Sequence, residues 1–98
     1  MDHRVREYRA TLESALRRLR PHISNGRIVG SDMSQFVVAN REDRSVEIYR
    51  DEESGVILDP AIGEDLQGEI RYQSFDLALD AAVRWLDGCD LQDLQPAV

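Results

Sequence analysis

Carboxylates are the side chains of this sequence best placed to do chemistry, and many of them crowd into two predicted loops. Six lie within residues 51–65: Asp51, Glu52, Glu53, Asp59, Glu64 and Asp65. A calcium loop would need alternating Asp or Asn ligands around a central glycine, and that spacing is missing. Acid–base catalysis would need a carboxyl group in an apolar pocket that shifts its pKa. Asp59 beside Pro60 and Glu69 beside Ile70 are the candidates for such a pocket, and both are better explained as turn and strand-edge residues.

Two histidines and one cysteine are the other candidates for chemistry. His3 lies near the N-terminus and His22 follows a helix-ending proline, where a histidine more often satisfies a helix dipole than binds a metal. Cys89 has no second cysteine to pair with and no zinc-type spacing around it. The sequence therefore predicts no catalytic residue, no metal site and no cofactor, and a non-enzymatic protein is favoured.

The charges are segregated along the chain. Residues 1–27 hold seven arginines and three acids, a balance of +4, whereas residues 28–98 hold five arginines and sixteen acids, a balance of −11. The net charge of −7 argues against direct binding to nucleic acid or to a membrane, because both surfaces are anionic. It favours a basic protein partner, with solubility as the simpler explanation.

The type of the basic residues indicates the origin of the protein, and the N-terminal sequence indicates its compartment. All twelve are arginine, which is typical of a GC-rich bacterial genome, or of its phages and plasmids. Arginine also forks onto carboxylates, so the basic N-terminal segment could instead pack against the acidic remainder of the chain. The charged N-terminus lacks the pattern of a signal peptide, and no apolar run reaches the ~20 residues of a membrane span. We therefore expect a cytoplasmic protein.

Amphipathic helices are predicted near both ends of the chain. Residues 4–19 carry an apolar stripe at helical spacing, and Pro21 ends this helix because the residue before a proline avoids the α conformation. A second helix begins after Ser74, a good N-cap, and ends before Gly88, a good left-handed cap. The stripe of the second helix is the more apolar, so this helix should lie deeper in the core.

Three or four strands are predicted between the helices. Residues 33–40 and 45–49 form a hairpin joined by the polar residues 40–44. Alternation in the second of these strands places Val46 and Ile48 on one face and Glu47 and Tyr49 on the other. A third strand at residues 56–58 is expected to end at Asp59 and Pro60. The segment from there to residue 68 is expected to be irregular. Residues 69–72 are expected to form a fourth strand.

This element order predicts an α+β domain of two layers, α-β-β-β(-β)-α, with both helices on one face of a small antiparallel sheet. Residues 1–88 are expected to form a single compact domain. Residues 89–98 are expected to form an acidic C-terminal tail, which is too short and polar to be stable by itself.

The outward face of the hairpin and the turn after it are the predicted partner-binding surface. Its residues are Glu42, Asp43, Glu47, Tyr49, Asp51, Glu52 and Glu53. These acids outnumber the arginines near them, and an aromatic side chain among them is typical of an interface anchor. The sequence therefore predicts a small acidic module that binds a basic protein.

The kind of function stays open among several classes. An inhibitor, an antagonist such as an anti-CRISPR protein, or an immunity-type protein fits the acidic surface best. One alternative is a small enzyme or ligand-binding domain with its site in residues 55–68, where glycines and acids alternate with little regular pattern. Another alternative is a structural homodimer within a larger complex.

Overall fold

Residues 2–53 and 55–96 are described by the structure, which is a computed structural model. Within them the chain forms two α-helices and six strands. In chain order these are α1 (His3–Leu19), β1 (Asn25–Val29), β2 (Phe36–Arg41), β3 (Arg44–Arg50), β4 (Val56–Ile62), β5 (Asp65–Leu66), β6 (Ile70–Tyr72) and α2 (Phe75–Leu86). Short 3₁₀ turns lie at Arg20–His22, Asp32–Ser34 and Leu91–Leu94.

The strands make one antiparallel sheet in the order β1-β2-β3-β4-β5, and β6 pairs with β4 beside β5. Both helices pack on the same face of this sheet. Helix α1 lies over β1 and β2, and α2 lies over β3, β4 and β6. The predicted two-layer α+β architecture is confirmed. We call the face under the helices the inner face and the opposite one the outer face.

The inner layer is held by side chains that the helices bring onto the sheet. The buried stripe of α1 consists of Val5, Tyr8, Leu12, Ala15, Leu16 and Leu19, and that of α2 includes Ala78, Leu79, Ala82, Trp85 and Leu86. The hydroxyl of Tyr8 donates to the carbonyl of Gln35 at 2.6 Å and accepts from the backbone N–H of Arg50 at 3.1 Å. Helix α1 is thereby attached to the start of β2 and to the end of β3.

Trp85 attaches α2 to the two central strands. Its indole N–H donates to the carbonyls of Ser45, 3.2 Å away, and of Ala61, 3.4 Å away. The guanidinium of Arg44 lies 4.1 Å from the centroid of the Trp85 ring. The same guanidinium donates to the carbonyls of Trp85 at 3.0 Å and of Cys89 at 2.6 Å. A side chain of β3 therefore binds one carbonyl in the last turn of α2 and one carbonyl just past the end of that helix.

Strand β4 runs through Pro60 to Ile62, so the prediction that it closes at Asp59 and Pro60 is wrong. The carbonyl of Pro60 accepts from the backbone N–H of Gln67 at 2.9 Å. The nitrogen of a strand residue faces the same side as its carbonyl, so the missing N–H of Pro60 also faces the β5 and β6 side. Those strands pair with residues 61–62 and 56–58 of β4. The proline lies in the gap between them, where the ladder loses no hydrogen bond.

The hairpin is also longer than predicted. Strand β2 continues to Arg41 and β3 begins at Arg44, which leaves Glu42 and Asp43 as the turn. Glu42 has a φ of +55°, a left-handed conformation suited to such a tight turn. Residues 40–44 are exposed or only half-buried, so polar side chains are tolerated there. Their polar sequence therefore resembled a loop although it includes the ends of both strands. Residues 32–34, the last two of which were assigned to the first strand, form a 3₁₀ turn instead.

The residues after α2 contact the core as far as Leu94. The side chain of Leu94 is fully buried, and its carbonyl accepts a hydrogen bond from the hydroxyl of Tyr72. The helices of the described residues include none with the length and apolar character that crossing a membrane requires.

Truncation of one leucine on each helix tests the packing of the two layers. Leu16 is 8% exposed and Leu79 is 3% exposed. We expect Leu16→Ala and Leu79→Ala each to lower the free energy of unfolding by about 2–4 kcal/mol, measured in urea, because each leaves a cavity. The matched control is Leu77→Ala on the exposed side of α2, where the leucine is 50% exposed. Losses at positions 16 and 79 as small as that of the control would contradict the packing.

Candidate functional site

The outer face of the sheet is the candidate site, because both helices lie on the inner face. Strand register arranges its side chains into rows that cross the strands. The apolar row consists of Val29, Phe36, Tyr49 and Ile57, and ends at Arg71. The carboxylate row consists of Glu47, Asp59 and Glu69, and has Val38 and Arg27 at its β2 and β1 end. Residues two apart on one strand lie about 6.7 Å apart, so the rows are neighbours.

The apolar row gives the outer face of the sheet a partly exposed hydrophobic surface. Val29, Phe36 and Tyr49 are half-buried, and Ile57 is buried although it points away from the helices. Tyr49 and Ile57 are directly opposite each other in the ladder, as are Val29 and Phe36. Such cross-strand pairs shield one another only in part. The row therefore still offers apolar area to another molecule.

The carboxylate row places like charges directly across from one another. Glu47 on β3 is opposite Asp59 on β4. Glu69 precedes Ile70, which pairs with Leu58, so Glu69 stands across from Asp59 on the other side. Partial burial raises the pKa of Glu47, and the charge of Asp59 raises it further. Partial burial likewise raises the pKa of Asp59, with a further contribution from Glu69.

The arginines of the hairpin do not relieve this repulsion, because all of them are engaged on the helix side. Arg41 donates to the carboxylate of Asp87 at 2.8 Å, just past α2. Arg44 is stacked on Trp85, as described above, and the guanidinium carbon of Arg50 lies 5.3 Å from the centroid of the Tyr8 ring. In the part of the chain that the structure describes, no arginine forms an ion pair with either Glu47 or Asp59.

The two arginines on the outer face itself are also placed away from these carboxylates. Arg27 on β1 stands two strands from Glu47 in the same row, which corresponds to about 10 Å. Arg71 on β6 donates to the carboxylate of Asp51. That contact lowers the pKa of Asp51 below its usual value and raises the pKa of Arg71. Glu47 and Asp59 therefore carry the uncompensated charge of the face.

Two side-chain bridges cross the outer side of β4. The hydroxyl of Tyr49 on β3 donates to the carboxylate of Glu69, next to β6. Burial, and then this hydrogen bond, raise the pKa of Tyr49 well above its usual range. The Arg71–Asp51 pair makes the second bridge, one step nearer the β3–β4 turn. The hydroxyl of Tyr49 therefore already has a hydrogen-bond partner in the free protein.

A groove of about 840 Å³ opens beside the start of β2 and the end of β3. Its apolar wall is formed by Met33, Phe36 and Tyr49, and its polar side includes Glu47, Asp51 and Glu52. Met33 is 44% exposed, so it contributes apolar area to this wall. The groove continues the apolar row and the carboxylate row toward the 3₁₀ turn at Asp32–Ser34.

The structure brings together only part of the predicted partner-binding surface. Glu47, Tyr49, Asp51 and Glu52 line this one groove. Glu53 lines a different groove, of about 630 Å³, together with Gly55, Arg71 and Leu77. Glu42 and Asp43 lie at the opposite end of β3, whose seven residues span about 20 Å. The seven predicted residues are therefore distributed over more than one patch.

Sequence reasoning missed Phe36, Ile57 and Glu69 as members of the outer face, and it placed Asp59 in a loop. The alternation along residues 57, 59 and 61 of β4 could have placed Ile57 and Asp59 on the outer face. The prediction that the strand ends at Pro60 hid this pattern. The proximity of Glu69 to Asp59 had no local signal, because it depends on the pairing of β6 with β4.

The two histidines each lie close to a carboxylate. The ring of His3 lies 3.0 Å from the carboxylate of Glu7, one helical turn along α1, and that of His22 lies 3.7 Å from Asp87. Across residues 2–53 and 55–96, no group of three or more His, Cys, Asp or Glu side chains has an arrangement that could hold a metal ion.

Comparisons with protein-family models, with curated proteins and with solved structures give no match to this chain.

The raised pKa of Glu47 leads to a test by stability. A carboxyl group with a raised pKa in the folded state binds its proton more tightly there than in the unfolded chain, so the charged form destabilises the fold at pH 7. We expect Glu47→Gln to raise the free energy of unfolding at pH 7 by about 0.2–1 kcal/mol, the range for a cross-strand pair.

The gain from Glu47→Gln should fade as the pH falls below the usual glutamate pKa, where the wild-type carboxyl is itself protonated. Urea unfolding at pH 7 and pH 3 measures this difference. Glu64→Gln, in the exposed turn after β4, removes the same charge outside the row and should change stability little at either pH. A loss of stability in Glu47→Gln at pH 7 would contradict the repulsion described here.

Proposed function

We propose that the protein is a binding module that docks a basic protein partner on the outer face of its sheet. The observation that carries this proposal is the pair Glu47 and Asp59, which face each other across β3 and β4 while the hairpin arginines are engaged with the helices. A cationic side chain of a partner placed between these carboxylates would relieve a repulsion that the free protein retains.

The neighbouring apolar row supplies the second component of an interface. A stable interface combines an apolar centre with a polar rim, and its charges set specificity and the rate of encounter. On this face, the half-buried Phe36 and Tyr49 would be the centre, and the carboxylate row would be one rim. Because the hydroxyl of Tyr49 is already bonded to Glu69, less side-chain freedom is lost on binding.

An inhibitor or immunity-type protein is the biological role that such a face serves best. A toxin or a nucleic-acid-binding machine presents basic residues where it contacts phosphates, and a row of carboxylates can occupy the same residues. We place this function in the cytoplasm, since the free thiol of Cys89 is partly exposed and suits a reducing compartment. The ligand-site alternative relied on an irregular segment at residues 55–68, of which residues 56–62 are strand β4.

Charge reversal on the outer face tests the proposal. The wild-type chain and the double variant Glu47→Arg, Glu52→Arg are used as baits with lysate of the source organism, and the captured protein is then measured against both. We expect the variant to lower the association rate constant by tenfold or more at low salt, because opposite charges steer encounter. The wild-type rate should fall as salt shortens the Debye length from ~10 Å at 0.1 M to ~3 Å at 1 M.

The matched control is Glu64→Arg with Asp80→Arg, which changes the charge equally at exposed positions away from the outer face. It should retain most of the association rate, and circular dichroism should show all three chains folded. A partner whose binding ignores salt and the Glu47 and Glu52 changes, yet is lost when Arg6 and Arg17 of α1 become Glu, would move the interface to the basic helix.

A further inference from the structure

We infer that the groove at the start of β2 and the end of β3 takes an arginine side chain of the partner, with its guanidinium over the rings of Phe36 and Tyr49 and paired with Glu47. This inference rests on the proposed function, and it names the group by which the partner is recognised. Its basis is the combination of a groove of about 840 Å³, an aromatic wall and an uncompensated carboxylate.

The aromatic wall is formed by residues of adjacent strands. Val37 pairs with Ile48, so Phe36 and Tyr49 come next in the same antiparallel register and lie side by side on the outer face. Met33 extends this wall from the 3₁₀ turn. An apolar wall of this kind accommodates the aliphatic stem of a long basic side chain, and the ring faces attract its cationic end.

The charge in the groove is negative after its internal pairs are counted. Asp51 is bonded to Arg71 and is therefore largely neutralised. Arg50 borders the groove, but its guanidinium lies over Tyr8 and Phe75 on the inner face. Glu47 and Glu52 remain as the carboxylates facing the groove. Glu47 stands two residues from Tyr49 on the same strand face, about 6.7 Å along β3, so one side chain can contact both.

Arginine fits this arrangement better than lysine. The guanidinium is planar, stacks on aromatic rings, forks onto a carboxylate through two N–H groups and is weakly hydrated. The lysine ammonium is compact and strongly hydrated, and it gains less from a flat aromatic wall. Recognition of charge alone would treat the two residues equally, so the preference separates this inference from general attraction to an acidic surface.

A titration with short peptides tests the inference without a known partner. The probes are acetylated and amidated pentapeptides of sequence Ala-Arg-Leu-Arg-Ala, the same peptide with lysine, and the same peptide with citrulline, which keeps the shape of arginine and removes its charge. Amide chemical shifts of the full chain are followed by NMR. We expect the arginine peptide to shift residues 33–36 and 47–52, to bind about threefold more tightly than the lysine peptide, and the citrulline peptide to cause no shifts.

Three variants assign the contacts. Glu47→Gln should weaken the arginine peptide about fivefold, since a hydrogen-bonded charge is lost. Phe36→Leu should remove the preference for arginine over lysine, since it keeps the apolar volume and deletes a ring. Tyr49→Phe retains both rings of the wall and should preserve that preference. Glu64→Gln is the control, because it removes the same charge as Glu47→Gln at a position outside the groove. It should bind the arginine peptide as the wild type does.

The outcomes separate this inference from the proposed function. Equal binding of the arginine and lysine peptides, with shifts along the carboxylate row, would overturn the arginine groove and leave the basic-partner interface in place. Shifts confined to acidic residues outside the outer face, or unchanged binding in Glu47→Gln, would overturn both.

Discussion

The contact of Arg44 with Trp85 fixes the end of α2 on the central strands of the sheet. It joins β3 to the end of α2 by a stacked guanidinium 4.1 Å from the ring centroid and by hydrogen bonds to two carbonyls. The indole N–H of Trp85 then reaches the backbone of β3 and β4. One side chain of the sheet thereby positions the helix that covers the central strands.

The use of arginine on the helix side has a consequence for the opposite face. Arg41 and Arg50 are engaged in the same direction as Arg44, with Asp87 and with the Tyr8 ring. Their positive charges lie on the helix side of the sheet. On the outer face, Glu47 and Asp59 stand directly opposite each other without an arginine between them. Binding sites commonly lower the stability of the free protein, and here the repulsive carboxylates lie beside the apolar row.

Sequence reasoning recovered the elements whose signals are local. The 3.6-residue stripes and their caps predicted both helices, and Ser74 does accept from the N–H of Leu77 at the start of α2. Alternation along β3 placed Glu47 and Tyr49 on the face away from the helices, as the structure has them. These assignments needed only the period of the pattern and the chemistry of the helix ends.

The remaining features depend on partners that are distant in the chain. Pro60 is tolerated within β4 because β5 and β6 leave a gap beside it, which no local pattern reports. The meeting of Glu47, Asp59 and Glu69 requires the register of three strands. The contacts of the Arg44 guanidinium can be predicted only from the position of Trp85, which lies forty-one residues further along the chain. The candidate site is built from such contacts, so the sequence predicted its face but only part of its membership.

The central claim is that, among residues 2–53 and 55–96, no cation forms an ion pair with Glu47 or Asp59. The most direct measurement is an NMR titration of their side-chain carboxyl carbons in the free protein between pH 2 and pH 8. We expect both groups to titrate above the ordinary pKa values of glutamate and aspartate, about 4.3 and 3.9, since burial and the neighbouring carboxylates raise them. Titration of both groups at or below those values would show that a cation reaches the row, and would contradict the claim.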